Sequence, residues 1–499
     1  MDFLDPRKKR AHKIRLIVGY FLMAIVILLS TIILVYAAYG YGINTKTGQI
    51  IENGLLFTDS KPSGADIYLN GQLQAGKTAA RLVLSAGNYT LTIKKSGYQT
   101  WQRNLTLDEH TISRYVYPFL FPLKPQLTPL KTYTSIPGMV TETPDRHWLL
   151  TQAETTTGGV SFEQFDTTAL AQPSTTLTIP KSLITSSTEP SAFKEVEWST
   201  DNNHLLLQHS YGDSKEFIVL NRTNPDQSFN VNKLFKVDPS EVALRNKKVD
   251  QLYIYDQAAG SLQVGDTGQA TLDPPFLKNV LAFKPYGSSI ITYVTDVGAP
   301  TGKVIADIWD NGKTYPLYSF DPGTKYLLDA AQYQSHIYYI AGSNTTERLN
   351  IYKDPEDSIR NPSYGKAVPL IALSDLGATD AHFSENTRFV GVQAGQNFAV
   401  YDFETGDSYS YTLKAPITAP LTWMDGHRFI GQSGSNVLIM DYDGINQVSL
   451  TPTLFQTGGY FSGDYNQMIT FAPTPGASTA VLERVDLRAG SDLPKNGAQ

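Results

Sequence analysis

The chain has no cysteine. That excludes disulfides, thiolate metal sites and a cysteine nucleophile. A domain of several hundred residues buries enough core to do without disulfides, so the lack is compatible with export. Charge is sparse, at 18% of 499 residues. The short catalytic signatures are missing too: there is no G-x-S-x-G elbow and no Gly-rich phosphate loop. Eight histidines are scattered as His12, His110, His147, His204, His209, His336, His382 and His427, with no H-E-x-x-H or H-x-H among them. His204 and His209 are five apart and would face opposite sides of one strand, a poor arrangement for a shared metal. No catalytic residue, cofactor or metal ligand is expected on these grounds. At this length two or three domains are the prior.

One long hydrophobic run is present. Leu16 to Tyr39 is 24 residues without a charge. As a helix it spans roughly 36 Å, enough to cross a hydrocarbon core of ~30 Å. Arg7, Lys8, Lys9, Arg10, Lys13 and Arg15 precede it. Positive flanks stay in the cytoplasm, so residues 1–15 are expected inside as a basic tail, and Gly40 onward outside. The run exceeds a signal-peptide core and has no clear A-x-A site, which favours an uncleaved anchor over a cleaved signal or a buried soluble helix. Net charge is −6, and residues 1–15 hold six Lys/Arg against Asp2 and Asp5, leaving −10 on the rest. An acidic remainder argues against a nucleic-acid partner.

Residues 40–54 are expected to form a short polar stem, kept flexible by Gly40, Gly42, Gly48 and Gly54. Over residues 55–117 the period changes to two. Ala65, Ile67 and Leu69 alternate with polar residues, and Asn70-Gly71 marks a hairpin turn. Tyr89, Leu91 and Ile93 share one face of a further strand, and Trp101 to Leu107 alternates again. These residues predict a small antiparallel sandwich. The order Lys61-Pro62-Ser63-Gly64-Ala65, Ile67-Tyr68-Leu69-Asn70-Gly71, Gly76-Lys77-Thr78, Ala86-Gly87-Asn88-Tyr89 and Lys95-Ser96-Gly97-Tyr98 resembles a PEGA domain. Ser63 stands where that family's name has Glu, and Ala79 where Pro is usual. The resemblance implies a non-catalytic, extracytoplasmic envelope module. Residues 118–135, with four prolines between Pro118 and Pro129, read as a stiff linker.

From residue 136 to 490 one theme recurs: a turn with Asp or Asn precedes an apolar strand. Glu197-Trp198-Ser199-Thr200-Asp201-Asn202-Asn203-His204-Leu205-Leu206-Leu207 shows it most clearly. Related stretches start near Thr143, Phe283, Phe383, Thr422 and Phe461, with weaker ones near Lys248 and Gln332. Eight units at a spacing of roughly 45 residues, without a helical period, match four-stranded propeller blades. The units resemble the TolB-type propeller repeat, in which W/F-S-x-D-G precedes an apolar strand, with Leu438 to Thr451 resembling the outer hairpin of one blade. The fold class expected is therefore mainly β: one transmembrane helix, a PEGA-like sandwich and a seven- or eight-bladed β-propeller. Residues 491–499 are expected to be a disordered tail.

Asp201, Asp425, Asp441 and Asp464 recur at turns, where Asp caps its own backbone. Trp148, Trp198 and Trp423 recur at blade positions and are expected in the core. Asp441-Tyr442-Asp443-Gly444 does not fit an EF-hand loop, since Gly444 comes too early and Ile445 fills the fifth position, and it matches a blade turn. The sequence thus predicts an extracytoplasmic binding or scaffold protein of the bacterial envelope. Its expected partners are the membrane, through one helix, and an envelope protein or cell-wall polymer. A propeller glycan hydrolase, with two carboxylates converging in the channel, and a purely structural spacer are the alternatives.

Overall fold

The computed structural model describes residues 6–38, 41–43, 50–153, 160–374, 377–474 and 479–493. The chain divides into two compact units, one of residues 1–124 with 489–499 and one of residues 125–488.

The first unit begins with one helix, Pro6–Ala38. Within it His12–Tyr36, with a mean hydropathy of 2.7, is long and apolar enough to cross a membrane by length and composition. The basic residues Arg7, Lys8, Lys9, Arg10, Lys13 and Arg15 lie on this helix rather than on a separate tail. Pro suits the first helical position, and Lys and Arg propagate a helix cheaply. Residues 1–5 lie outside the described residues.

Two four-stranded sheets follow. Strands Asp66–Leu69, Gln72–Lys77, Gly87–Lys94 and Trp101–Leu107 form one. Leu56, Ile67, Leu91, Ile93, Trp101 and Leu107 fill the core between the sheets. The Asn70-Gly71 turn forms as the sequence predicts, both residues having positive φ and Leu69 pairing with Gln72. Three features differ from expectation. The sandwich is not wholly antiparallel, because Ile112–Tyr115 pairs in parallel with Ile50–Thr58. Nor are residues 40–54 a plain stem: Tyr41–Ile43 pairs with Ile50–Thr58, whose apolar residues suit a sheet. Gly54 sits inside that strand because a Cβ there would lie 2.5 Å from Leu107 Cγ, so it serves close packing rather than flexibility. Gly40 and Gly48 lie outside the described residues. The end of the chain also departs from a disordered tail. Lys95 Nζ meets Asp492 Oδ2 at 2.8 Å, and the Tyr98 hydroxyl donates to Asp492 Oδ2 at 3.0 Å. Residues 494–499 lie outside the described residues.

The second unit contains eight four-stranded antiparallel sheets among its described residues. Each of the eight repeat units found in the sequence holds the turn between the first and second strands of one sheet, so the count is eight rather than seven. The middle strands are apolar on both faces because each sheet is covered on both sides. Leu205 and Leu207 join the core shared with the first sheet, whereas Leu206 between them joins the core shared with the third. Each such side chain contributes about 1.5–3 kcal/mol on burial.

The eighth sheet closes the ring. Its order is Tyr460–Phe461, Gln467–Pro473, Ala480–Asp486 and then Leu127–Tyr133 from the start of the unit. The assigned linker 118–135 is therefore partly a blade strand, since Leu127, Pro129 and Lys131 pair along Ala480–Asp486. Pro129 is tolerated because this strand is an edge. First strands are also tied to their neighbours by aromatic donors: Trp198 Nε1 to Thr141 Oγ1 at 2.7 Å, Trp423 Nε1 to the His382 carbonyl at 3.2 Å, and the Tyr460 hydroxyl to the Val140 carbonyl at 2.8 Å.

Phe471 is fully buried between the closing strand and the first sheet, with its ring 5.5 Å from that of Tyr133. Phe471→Ala is expected to cost about 3–5 kcal/mol in urea denaturation of the full chain. A cost under about 1 kcal/mol would show that the closing interface contributes little.

Candidate functional site

Four of the turns that join first and second strands share one construction. An Asp or Asn caps the turn and the next residue has left-handed backbone. The pairs are Asp145-Arg146, Asp201-Asn202, Asn386-Thr387 and Asp464-Tyr465, with φ of 59°, 60°, 57° and 56° at the second members. The cap oxygen accepts the backbone N–H two residues on: His147 at 3.0 Å, Asn203 at 2.8 Å, Arg388 at 3.2 Å and Asn466 at 2.9 Å. Asp425 caps the seventh sheet's turn onto His427 at 2.7 Å. In that turn Gly426 is required by space, since a Cβ would lie 2.4 Å from Asn386 Cγ.

The left-handed position favours Gly or Asn, and other residues there are strained by roughly 1 kcal/mol or more. Arg146 and Tyr465 nevertheless occupy it, and they meet. The Arg146 guanidinium lies 4.4 Å from the centre of the Tyr465 ring. Arg146 Nη2 donates to Glu385 Oε2 at 3.0 Å and to the Met424 carbonyl at 2.9 Å. Its Nε is 3.9 Å from Glu142 Oε2. The Tyr465 hydroxyl lies within donating distance of Glu385 Oε2 (3.0 Å) and the Met424 carbonyl (3.2 Å). These residues belong to the first, sixth, seventh and eighth sheets. The first sheet neighbours the second and the eighth, so a contact with the sixth is made across the hub. The cluster therefore gathers turns of four sheets at the hub.

Its electrostatics follow from burial. Arg146 is 17% exposed and Glu142 13%, whereas Glu385 is 53% exposed. Burial pushes the Glu142 carboxyl up to about 8, against the pull of Arg146. At neutral pH it is mostly protonated, and its Oε1 is buried without a hydrogen-bond partner. Burial works to lower the Arg146 pKa, but Tyr465 and Glu385 outweigh it, so the guanidinium stays charged. Within the cluster its charge is thus balanced mainly by Glu385.

Other acids stand on first strands. Burial raises the carboxyls of Glu195 and Glu241. Glu197 pairs with Lys247. His382 bridges the fifth and sixth sheets, Nε2 to Asp380 Oδ1 at 3.1 Å and Nδ1 to Asp329 Oδ2 at 3.4 Å. Those two carboxylates hold its pKa up at about 9. Beside it, Asp380, Trp423, Phe429, Phe398 and Gln393 line a cavity of about 150 Å³.

The structure gives the other residues singled out in the sequence supporting roles. His204 Nδ1 sits 2.6 Å from Asp201, and His209 is buried 2.8 Å from Glu216. His147 Nε2 is 3.2 Å from Asp166. Trp198 is buried, but Trp148 and Trp423 are only half-buried, Trp148 with the Arg222 guanidinium 4.6 Å from its ring. Asp441 accepts from Asn446 Nδ2 at 2.9 Å in a plain blade turn. Among the described residues no group of three or more His, Cys, Asp or Glu is placed to hold a metal. The basic residues Arg7, Lys8, Lys9, Arg10, Lys13 and Arg15 lie on the helix of the first unit. Arg146 and Tyr465 were missed in the sequence. Their signal was an Arg and a Tyr standing where the W/F-S-x-D-G repeat has its glycine.

Together these features define a protein with a PEGA module and a β-propeller. Residues 53–117 match the PEGA domain. Among solved structures the chain is similar to the Dos1 propeller, with 14% identity over 73% of this chain and 95% of that one and a TM-score of 0.45. It is also similar to an oligogalacturonate lyase in complex with manganese, with 10% identity, 73% and 98% coverage and a TM-score of 0.38. A third is an uncharacterized protein from Listeria monocytogenes, with 13% identity, 67% and 94% coverage and a TM-score of 0.38. No curated protein matches the chain.

Glu142 also sets a pH dependence. Its folded pKa lies above the unfolded carboxylate value, so the folded state binds the extra proton between about pH 4.5 and 8. Stability is expected to fall as pH rises through that window, by on the order of a few kcal/mol. Glu142→Gln is expected to flatten the fall, read as urea midpoints between pH 5 and 8.5. Parallel curves for the two proteins would contradict the assignment.

Proposed function

We propose that the chain is a single-pass, membrane-anchored binding or scaffold protein of a bacterial cell envelope. Its N-terminus is cytoplasmic, and the PEGA module and propeller lie on the far side. The observation that carries this is the order of parts: six basic residues, an apolar span, a PEGA domain and a propeller. Positive flanks favour the cytoplasm, and the PEGA resemblance implies an extracytoplasmic module. The propeller is the binding element, taking an envelope protein or a cell-wall polymer. The charged cluster at the hub supports recognition over a purely structural spacer, because Arg146 and Tyr465 are held in strained conformations that packing alone does not call for.

A membrane-tethered glycan hydrolase is the second reading, favoured by Glu142, a raised acid beside Glu385. Such an enzyme needs an open gap between two carboxyl groups for the scissile bond. Here the Arg146 guanidinium stands between them, which supports binding over hydrolysis.

Protease treatment of intact cells tests the topology. The chain is expected to be cut down to a membrane-protected fragment of residues 1–40 or so, and to resist extraction by alkaline carbonate. Full protection in intact cells that is lost on lysis would overturn the assigned orientation.

A further inference from the structure

The hub cluster holds a carboxylate already, and that carboxylate is the chain's own. Glu385 Oε2 accepts from Arg146 Nη2 at 3.0 Å and lies 3.0 Å from the Tyr465 hydroxyl. The three groups differ in accessibility. The guanidinium is mostly buried, clamped by the Met424 carbonyl and the Tyr465 ring, and is fixed in place. Glu385 is half exposed, so its carboxylate has solvent to turn into when another anion takes its place on Arg146.

We propose that the Arg146–Tyr465 pair is a receptor for the C-terminal carboxylate of a peptide, and that Glu385 is its built-in competitor. The proposal deepens the binding function above and rests on it. A planar guanidinium fork matches a carboxylate better than any other common group. The Tyr465 hydroxyl supplies a second donor on the same side. Glu142, mostly protonated at neutral pH, adds little negative charge to repel an incoming anion. A sugar acid fits less well, because sugar rings are held by stacking on aromatic faces and one face of Tyr465 is already covered by Arg146. When a ligand carboxylate enters, Glu385 swings out, and the bonds to Arg146 and Tyr465 are exchanged rather than created. Affinity is then modest in the wild type and rises when the competitor is removed.

The test uses the full chain in detergent micelles and calorimetric titration. The probes are N-acetyl-Ala-Ala with a free carboxylate, the same peptide as its C-terminal amide, and glucuronic acid. Glu385→Gln is expected to bind the free carboxylate about tenfold more tightly than the wild type. The amide is expected not to bind, and glucuronic acid to bind more weakly than the peptide. Arg146→Lys keeps the charge but loses the fork, and is expected to lose most of the gain when combined with Glu385→Gln. Melting curves confirm that each variant folds. Equal binding of acid and amide, no gain in Glu385→Gln, or tighter binding of glucuronic acid overturns the proposal. Retention of envelope material by the full chain is measured separately. If that retention persists undiminished in Arg146→Gln, the carboxylate receptor fails while the binding function stands.

Discussion

Burial of both faces of every blade is the constraint on which the propeller depends. A four-stranded sheet apolar on both sides cannot rest against water on either. In the second unit each sheet is covered by two neighbours, and adjacent residues on one strand serve different cores: Leu205 and Leu207 on one side, Leu206 on the other. Such an arrangement has no natural end. It is completed by pairing Leu127–Tyr133 with Ala480–Asp486 in the eighth sheet, which packs against the first. That closure also creates the hub, where turns from non-neighbouring sheets come within hydrogen-bond reach.

The hub shows how scaffold and site divide the same repeat. The capping carboxylates of Asp145, Asp201 and Asp464 satisfy their own turns and are spent on structure. The position after each cap has backbone strain but few structural duties, so its side chain is available. Asn202 uses it to accept the Asp145 N–H at 3.1 Å, a local stitch between turns. Arg146 and Tyr465 use it to reach across the opening. Charge left there is unusually effective, because Arg146 is shielded from water by the Tyr465 ring and by Glu142.

The architecture was legible in the sequence wherever local chemistry decides local structure. The Asn70-Gly71 turn, the alternation of Trp101 to Leu107 and the capped turns at Asp145, Asp201, Asn386, Asp425 and Asp464 all follow from residues within a few positions of one another. Pairings between distant segments were not legible. Nothing in Leu127–Tyr133 announces a partner more than 340 residues away, and Pro129, following Pro118, Pro122 and Pro125, reads naturally as part of a linker. Ile112–Tyr115 gave no sign of a parallel partner in Ile50–Thr58. The site was half legible: Arg146 and Tyr465 break the repeat visibly, but only the ring brings them to Glu385.

Closure by the first strand also sets an order on assembly. Leu127–Tyr133 is made before any blade and completed after all of them, since its partner is the last strand of the unit. Until Asp486 arrives, that strand waits with both edges open and the hub has no fixed diameter. Each earlier sheet can form as it emerges, because its four strands are consecutive in the chain. The final step is a single long-range pairing that locks the array at once, and such pairings are slow. Intermediates short of that step carry an exposed apolar edge, so their survival depends on how quickly the end of the chain follows its beginning.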